Sequence, residues 1–217
     1  MKMGLFNFYN MENKQRVIVY VDGFNFYFGI KSKKWKRFYW LDFVKFFSSF
    51  LKPYQELLEV NYFSARPTDH GKQDRQDKLF SANKINHKFN LVLGKYLKKD
   101  LRCKFCGKMI HSFEEKETDV RIATRILSDA YKKRSDIVVI VSADSDLIPP
   151  IELIKEFNPM LKVYTYFPPG RYSSNLSNLS DNTLKLDGAY NIFNQSQLPE
   201  EVTLPSGYKV VRPEKWK

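Results

Sequence analysis

Short apolar runs and helical patterns alternate along most of this chain, and that alternation leaves few architectures open to it. The runs "RVIVYVD" (16–22), "LLEVNYFSA" (57–65), "NLVLGKYL" (90–97), "DIVVIVSA" (136–143) and "LKVYTYF" (161–167) have the length and the β-branched and aromatic content of strands. Between them lie helical patterns. "GFNFYFGI" turns into a first helix, "LDFVKFFSSFL" (41–51) stops before Pro53, and 68–88 is a polar helix; "TDVRIATRILSDAYKK" (118–133) and "PPIELIKEF" (149–157) complete the set. Strands and helices alternating at this length predict an α/β fold with a mostly parallel central sheet and helices on both faces. Residues 98–116, "KKDLRCKFCGKMIHSFEEK", break the alternation and read as an inserted, Cys-containing hairpin; from about 197 the Pro-containing sequence reads as an appended tail. The expected organisation is an extension over 1–13, one domain over 14–194 carrying the insert, and a tail over 195–217.

Composition narrows the partners. Hydrophobic residues make up 43% of the 217, enough for a sizeable core, so the chain is a folding one rather than a disordered one. No apolar run nears the roughly 20 residues that span a bilayer, and "MKMGLFNFYNMENKQR" lacks an apolar signal region. The expectation is a soluble cytoplasmic protein with no membrane partner. Lysine and arginine number 36 against 24 acids, a formal net charge of +12, which favours a polyanionic partner such as nucleic acid or an anionic membrane surface without identifying which.

Against that basic background, four acids stand at telling positions. Asp22 ends the first strand, and Asp144 and Asp146 follow another in "VSADSD". In a parallel sheet these strand ends share the edge where open α/β sheets bind ligands. Asp119 lies on the apolar stripe of its helix, with Ile122, Ala123, Ile126, Leu127 and Ala130. Taken singly, each acid has an ordinary reading: Thr118 or Asp119 could cap its helix, and Asp144 and Asp146 could bind loop N–H groups. Converging carboxylates, however, repel one another and resist burial without a cation. An oxygen-only site that keeps waters suits Mg²⁺ or Mn²⁺, and such a site on a basic chain suits phosphodiester hydrolysis.

Three motifs, "VYVDGFNFY", "EEKETDVRIATRIL" and "VIVSADSDLIPPI", resemble the NYN family of PIN-like nucleases, in particular its LabA-like branch, over roughly residues 14–187. The resemblance implies a PIN-like three-layer fold in which the first and fourth strands are neighbours, bringing Asp22 beside Asp144. It implies a catalytic and metal site of Asp22, Asp119, Asp144 and Asp146, with Asn25 near the scissile phosphate or a metal-bound water, and adds Asp181 as a further metal ligand. The family's usual "SGDSDF" is "SADSDL" here, with Ala143 and Leu147 replacing Gly and Phe while every ligand is kept. The implied activity is a Mg²⁺- or Mn²⁺-dependent endoribonuclease acting on single-stranded or structured RNA.

Two further features concern RNA and zinc. "KSKKWKRFYW" (31–40) interleaves Lys33, Lys34, Lys36 and Arg37 with Trp35 and other aromatics; it can track phosphates and stack on bases, or it can be core aromatics beside a solvated face. Cys103 and Cys106, spaced C-x-x-C, with His111 form a candidate structural zinc site that lacks an evident fourth ligand unless His70, His87 or a second subunit of a homo-oligomer supplies it; two free thiols are the alternative. The rival to an enzyme is an RNA-binding regulatory module with little catalysis. A haloacid-dehalogenase-like phosphatase would need an acid where Phe24 stands, and no P-loop motif occurs.

Overall fold

The computed structural model describes residues 14–102 and 105–217, and the side chains among them outside 96–102 and 110–116. Six parallel strands and one antiparallel strand form a central sheet. Strand β1 (Gln15–Asp22) leads into α1 (Gly23–Ser32), followed by α2 (Phe43–Ser48), β2 (Gln55–Ala65), α3 (His70–Asn83), β3 (Phe89–Arg102), β4 (Met109–Lys116) and α4 (Thr118–Tyr131). The second half supplies β5 (Ile137–Val141), α5 (Ile148–Phe157), β6 (Lys162–Phe167), α6 (Ser174–Leu179), β7 (Asn182–Lys185), α7 (Tyr190–Gln195), β8 (Glu201–Thr203) and β9 (Lys209–Val211). The sheet order is β4-β3-β2-β1-β5-β6-β7, so β1 and β5, the first and fourth parallel strands of the chain, are neighbours as expected. This is the α/β three-layer arrangement of a PIN-like fold.

The alternating side chains of β1 feed two separate cores. Val17, Val19 and Val21 join Phe26 and Ile30 of α1, Phe43, Phe46 and Phe47 of α2, and Phe193 of α7. Ile18 and Tyr20 point the other way, to Ile122 and Ile126 of α4 and Ile151 and Ile154 of α5. With both faces covered, β1 and β5 are buried almost throughout, which explains their continuous apolar sequence. Beneath α4 a buried polar network is satisfied: Asp129 accepts from Tyr20 Oη (2.8 Å), Arg125 Nε (2.8 Å) and Arg134 Nη1 (2.9 Å), and Arg134 also reaches Glu59 at 2.6 Å.

Several boundaries differ from expectation. The polar helix is shorter than 68–88 because the Asp69 carboxylate caps it, accepting from Lys72 N–H at 2.7 Å, and because Asn83 turns inward to bond Leu41 O and Phe43 N–H, each at 3.0 Å. The strand expected over 90–97 runs on to Arg102 and pairs antiparallel with β4. The segment expected to be an appended tail is packed into the domain: Val202 and Val210 lie in the first core, Trp40 Nε1 donates to Pro199 O at 2.7 Å, and the Arg212 guanidinium donates to the carbonyls of Arg37 and Trp216. The extension over 1–13 lies outside the described residues.

Candidate metal centre

The site begins with strand adjacency. Val21 of β1 pairs with Val141 of β5, so Asp22 and Ser142 emerge side by side at the carboxyl edge of the sheet. There Ser142 Oγ donates to Asp22 Oδ2 at 2.8 Å and accepts from Asp144 N–H at 3.0 Å. The other Asp22 oxygen caps α1, accepting from Asn25 N–H at 2.9 Å. Gly23 is required immediately after it, since an added Cβ would stand 2.6 Å from Cε1 of Tyr62. That close approach is why the strand ends in Asp-Gly.

Asn25 does not point freely into solvent. Its Oδ1 accepts from Ala143 N–H (3.3 Å) and from Arg171 Nη1 (3.4 Å), and its side-chain amide supports the Asp22 carboxylate. Asp119 arrives from the opposite side, in the first turn of α4. The helix N-cap is Glu117, in a left-handed conformation (φ 76°) and with no side-chain capping bond, so neither Thr118 nor Asp119 serves as the cap. Ile122 and Ile126 anchor that helix in the second core and carry Asp119 to the cluster.

The outcome is a trio: Asp22, Asp119 and Asp144 each offer a carboxylate oxygen, all within 4.8 Å of one another. Among the described residues none of the three forms an ion pair with lysine or arginine. Electrostatics record the crowding. Burial raises the Asp22 pKa, opposed by its bonds from Asn25 and Ser142, with Asp144 adding to the rise. Asp119 is pushed up to about 6, first by burial and then by the charges of Asp22, Asp144 and Asp146. A hard divalent cation among three carboxylates and water would reverse these penalties, and the all-oxygen donor set fits Mg²⁺ or Mn²⁺ chemistry rather than the N/S preference of structural zinc.

Other expected site residues are placed differently. Asp146 is exposed at the rim; its N–H donates to Asp144 Oδ1 at 3.1 Å, and its charge reaches Asp119 without its carboxylate joining the trio. Asp181 stands at the opposite edge of the sheet. It accepts from Val163 N–H at the start of β6 and pairs with Lys155 and Lys162, which together hold its carboxyl below the usual range against the effect of burial, so it is a structural ion-pair residue and no ligand of this trio. In the basic run, Lys33 pairs with Asp187 at 2.5 Å, Trp35 packs against Phe38, Tyr190 and Phe193, and Arg37 bonds Asn194 Oδ1 at 2.6 Å while lying over Phe38 and Tyr190. Lys34 and Lys36 are exposed. Cys106 is exposed, whereas Cys103 and the side chain of His111 lie outside the described residues.

Two members of the site escaped sequence reasoning. Ser142 sat in view in "VSADSD", yet only the β1–β5 pairing gives it a role. Arg171 follows "PPG" in a loop and carries no periodic signal.

Comparisons with known proteins agree with this architecture. A crystal structure of a protein of unknown function from Vibrio parahaemolyticus is similar at a TM-score of 0.54, with 19% identity over 80% of this chain and 93% of that one, which speaks for the fold alone. No curated protein matches the sequence. Among the described residues no helix is long and apolar enough to cross a membrane. The NYN domain model matches residues 16–187, a span that holds every carboxylate of the trio and does not resolve a LabA-like branch; the chain belongs to the NYN domain family.

Proposed function

We propose that the protein is a Mg²⁺- or Mn²⁺-dependent endoribonuclease that hydrolyses RNA phosphodiester bonds at Asp22, Asp119 and Asp144. The observation that carries this reading is the convergence of three carboxylate oxygens within 4.8 Å, with no ion-paired cation among the described residues, at the carboxyl edge of a parallel sheet in a strongly basic chain. A bound divalent cation would supply Lewis-acid stabilisation of the phosphate and a water of lowered pKa.

The chain's own residues do the positioning. Ser142 and the Asn25 N–H fix both oxygens of Asp22, so its carboxylate does not rotate when the site fills. Asp144 is oriented by Asp146 N–H on its side chain and by Ser142 on its backbone. Asp119, with a pKa near 6, is largely ionised above neutral pH and partly protonated below it. Arg171, tied to Asn25 by one donor, leaves further donors for a phosphate oxygen at the same edge. Asp146 at the rim and the exposed Lys34 and Lys36 extend the path for RNA, met in the cytoplasm.

The test is cleavage of a mixed RNA pool with Mn²⁺, Mg²⁺ or EDTA, using wild type and Asp22→Asn. Metal-dependent cleavage lost in the variant is expected. Retained RNA binding with no cleavage under any metal would make the protein a binding module.

A further inference from the structure

Beside the carboxylate trio, on the other side of the first turn of α1, lies a cavity of about 410 Å³. We propose that this cavity holds one unpaired nucleobase of a single-stranded RNA whose adjoining phosphodiester lies at the trio. The proposal rests on the nuclease reading above and adds to it a base-binding subsite lined by Tyr27, Tyr39, Lys72 and Arg75.

The cavity and the trio share a wall. Asp22 caps α1, and the next residues, Gly23 and Phe24, line the cavity; Tyr62, also in its lining, stands 3.4 Å through its Oη from Gly23 O. A phosphate at Asp22 and a base in the cavity would therefore lie on either side of the first turn of α1.

Its chemistry matches a nucleotide on two independent counts. The first is aromatic surface. The rings of Tyr27 and Tyr39 lie 5.0 Å apart at 31°, and Tyr39 meets Trp216 edge-on at 5.7 Å. Tyr27 is 38% exposed, so a face of this cluster is open to a planar ligand. Stacking of this kind accepts any base, because every base has a π-face. The second is charge. Lys31, Lys72 and Arg75 line the same cavity, and among the described residues none of them is ion-paired. Asp69, the one acid in the lining among the described residues, is engaged as the α3 cap. Aromatic walls ringed by cations suit a flat apolar body bearing an anion. The volume falls in the ordinary range of small-molecule sites. A base stacked inside a duplex cannot enter, which gives the discrimination.

This also relocates the sequence signal in "KSKKWKRFYW". Its contribution to the cavity comes from Lys31, Phe38 and Tyr39, while Trp35 and Arg37 turn to the α7 side.

The experiment is fluorescence anisotropy in EDTA with a short labelled oligoribonucleotide, single-stranded and annealed to its complement. Wild type, Tyr27→Ala, Tyr27→Phe and the pair Lys72→Glu with Arg75→Glu are compared, each checked for folding by circular dichroism. Wild type should prefer the single strand. Tyr27→Ala should raise its Kd about tenfold, Tyr27→Phe should restore it, and the charge reversal should weaken it further while flattening its salt dependence. If folded Tyr27→Ala binds the single strand as wild type does, or loses single strand and duplex alike, the base pocket is refuted. Cleavage in Mn²⁺ is scored separately. Cavity-dependent binding without cleavage would overturn the nuclease reading and keep the pocket; cleavage with cavity-independent binding would do the reverse.

Discussion

Replacing Asp144 by Asn removes one charge from a crowded trio with almost no change of shape, and its effect on stability can be worked from the structure. Oxygens no more than 4.8 Å apart repel by at least about 0.9 kcal/mol in a water-like dielectric and about 3.5 kcal/mol at an effective constant near 20. Asp119 is exposed and Asp144 only half-buried, so the lower end applies to that pair; the buried Asp22 contributes more. Loss of both repulsions should stabilise the metal-free protein by about 2 kcal/mol at pH 8. The Asn Oδ1 can still accept from Asp146 N–H, so that bond is retained. At about 2–4 °C per kcal/mol for a domain of this size, the variant should melt a few degrees above wild type in EDTA. With Mn²⁺ at about 100 times its dissociation constant, wild type should gain about 2.7 kcal/mol and the variant far less, which inverts the order. Thermal unfolding followed by circular dichroism, with EDTA and then with Mn²⁺, reads both halves. A variant that melts lower in EDTA, with Mn²⁺ shifting both proteins equally, would show that Asp144 only stabilises its loop.

The raised pKa of Asp119 makes a pH prediction: the unfolded chain ionises near 3.8 and the folded one near 6, so stability is lost as pH rises through that window in metal-free protein. For this partly exposed group the screened loss is about 1 kcal/mol, seen as a wild-type slope in chemical unfolding that Asp119→Asn lacks; equal slopes would contradict it. Arg134→Ala should cost about 3 kcal/mol in urea unfolding, because the buried Asp129 loses a partner and Glu59 is left behind, and a change under about 1 kcal/mol would show that Arg125 suffices. Charge reversal at Lys34 and Lys36 should lower the salt slope of RNA binding by about 0.7 per lost phosphate contact. Arg37→Glu should instead lower the melting temperature, since its guanidinium is docked on Asn194 and Tyr190.

Much of the fold could be read from the chain. Continuous apolar strands such as Val17–Val21 and Ile137–Val141 announce a sheet covered on both faces, and a parallel sheet then forces Asp22 and Asp144 to a common edge. Asp119 was legible for a different reason: an acid on a helix's apolar stripe has to be carried toward whatever that stripe faces. Elements without periodicity were not legible. The 201–211 hairpin has short strands and Pro-flanked turns, and only the burial of Val202 and Val210 and the bonds of the flanking Pro199 and Arg212 to Trp40 and Arg37 reveal it as part of the core.

The sequence by itself determined the alternation of elements, the edge at which the acids gather and the basic character of the surface, because period, turn chemistry and charge are local properties. Tertiary structure alone decided which groups meet. Asp181 and Asp119 are both acids at element starts, yet one faces Lys155 and Lys162 at the strand beginnings and the other faces Asp22 at the strand ends. Trp35 and Tyr39 belong to one basic run, yet one packs on Phe193 and the other stands beside Tyr27 at a cavity. Spacing fixes a side chain's direction relative to its own helix or strand, but what lies in that direction depends on strand order and helix placement, which are set by contacts between residues far apart in the chain.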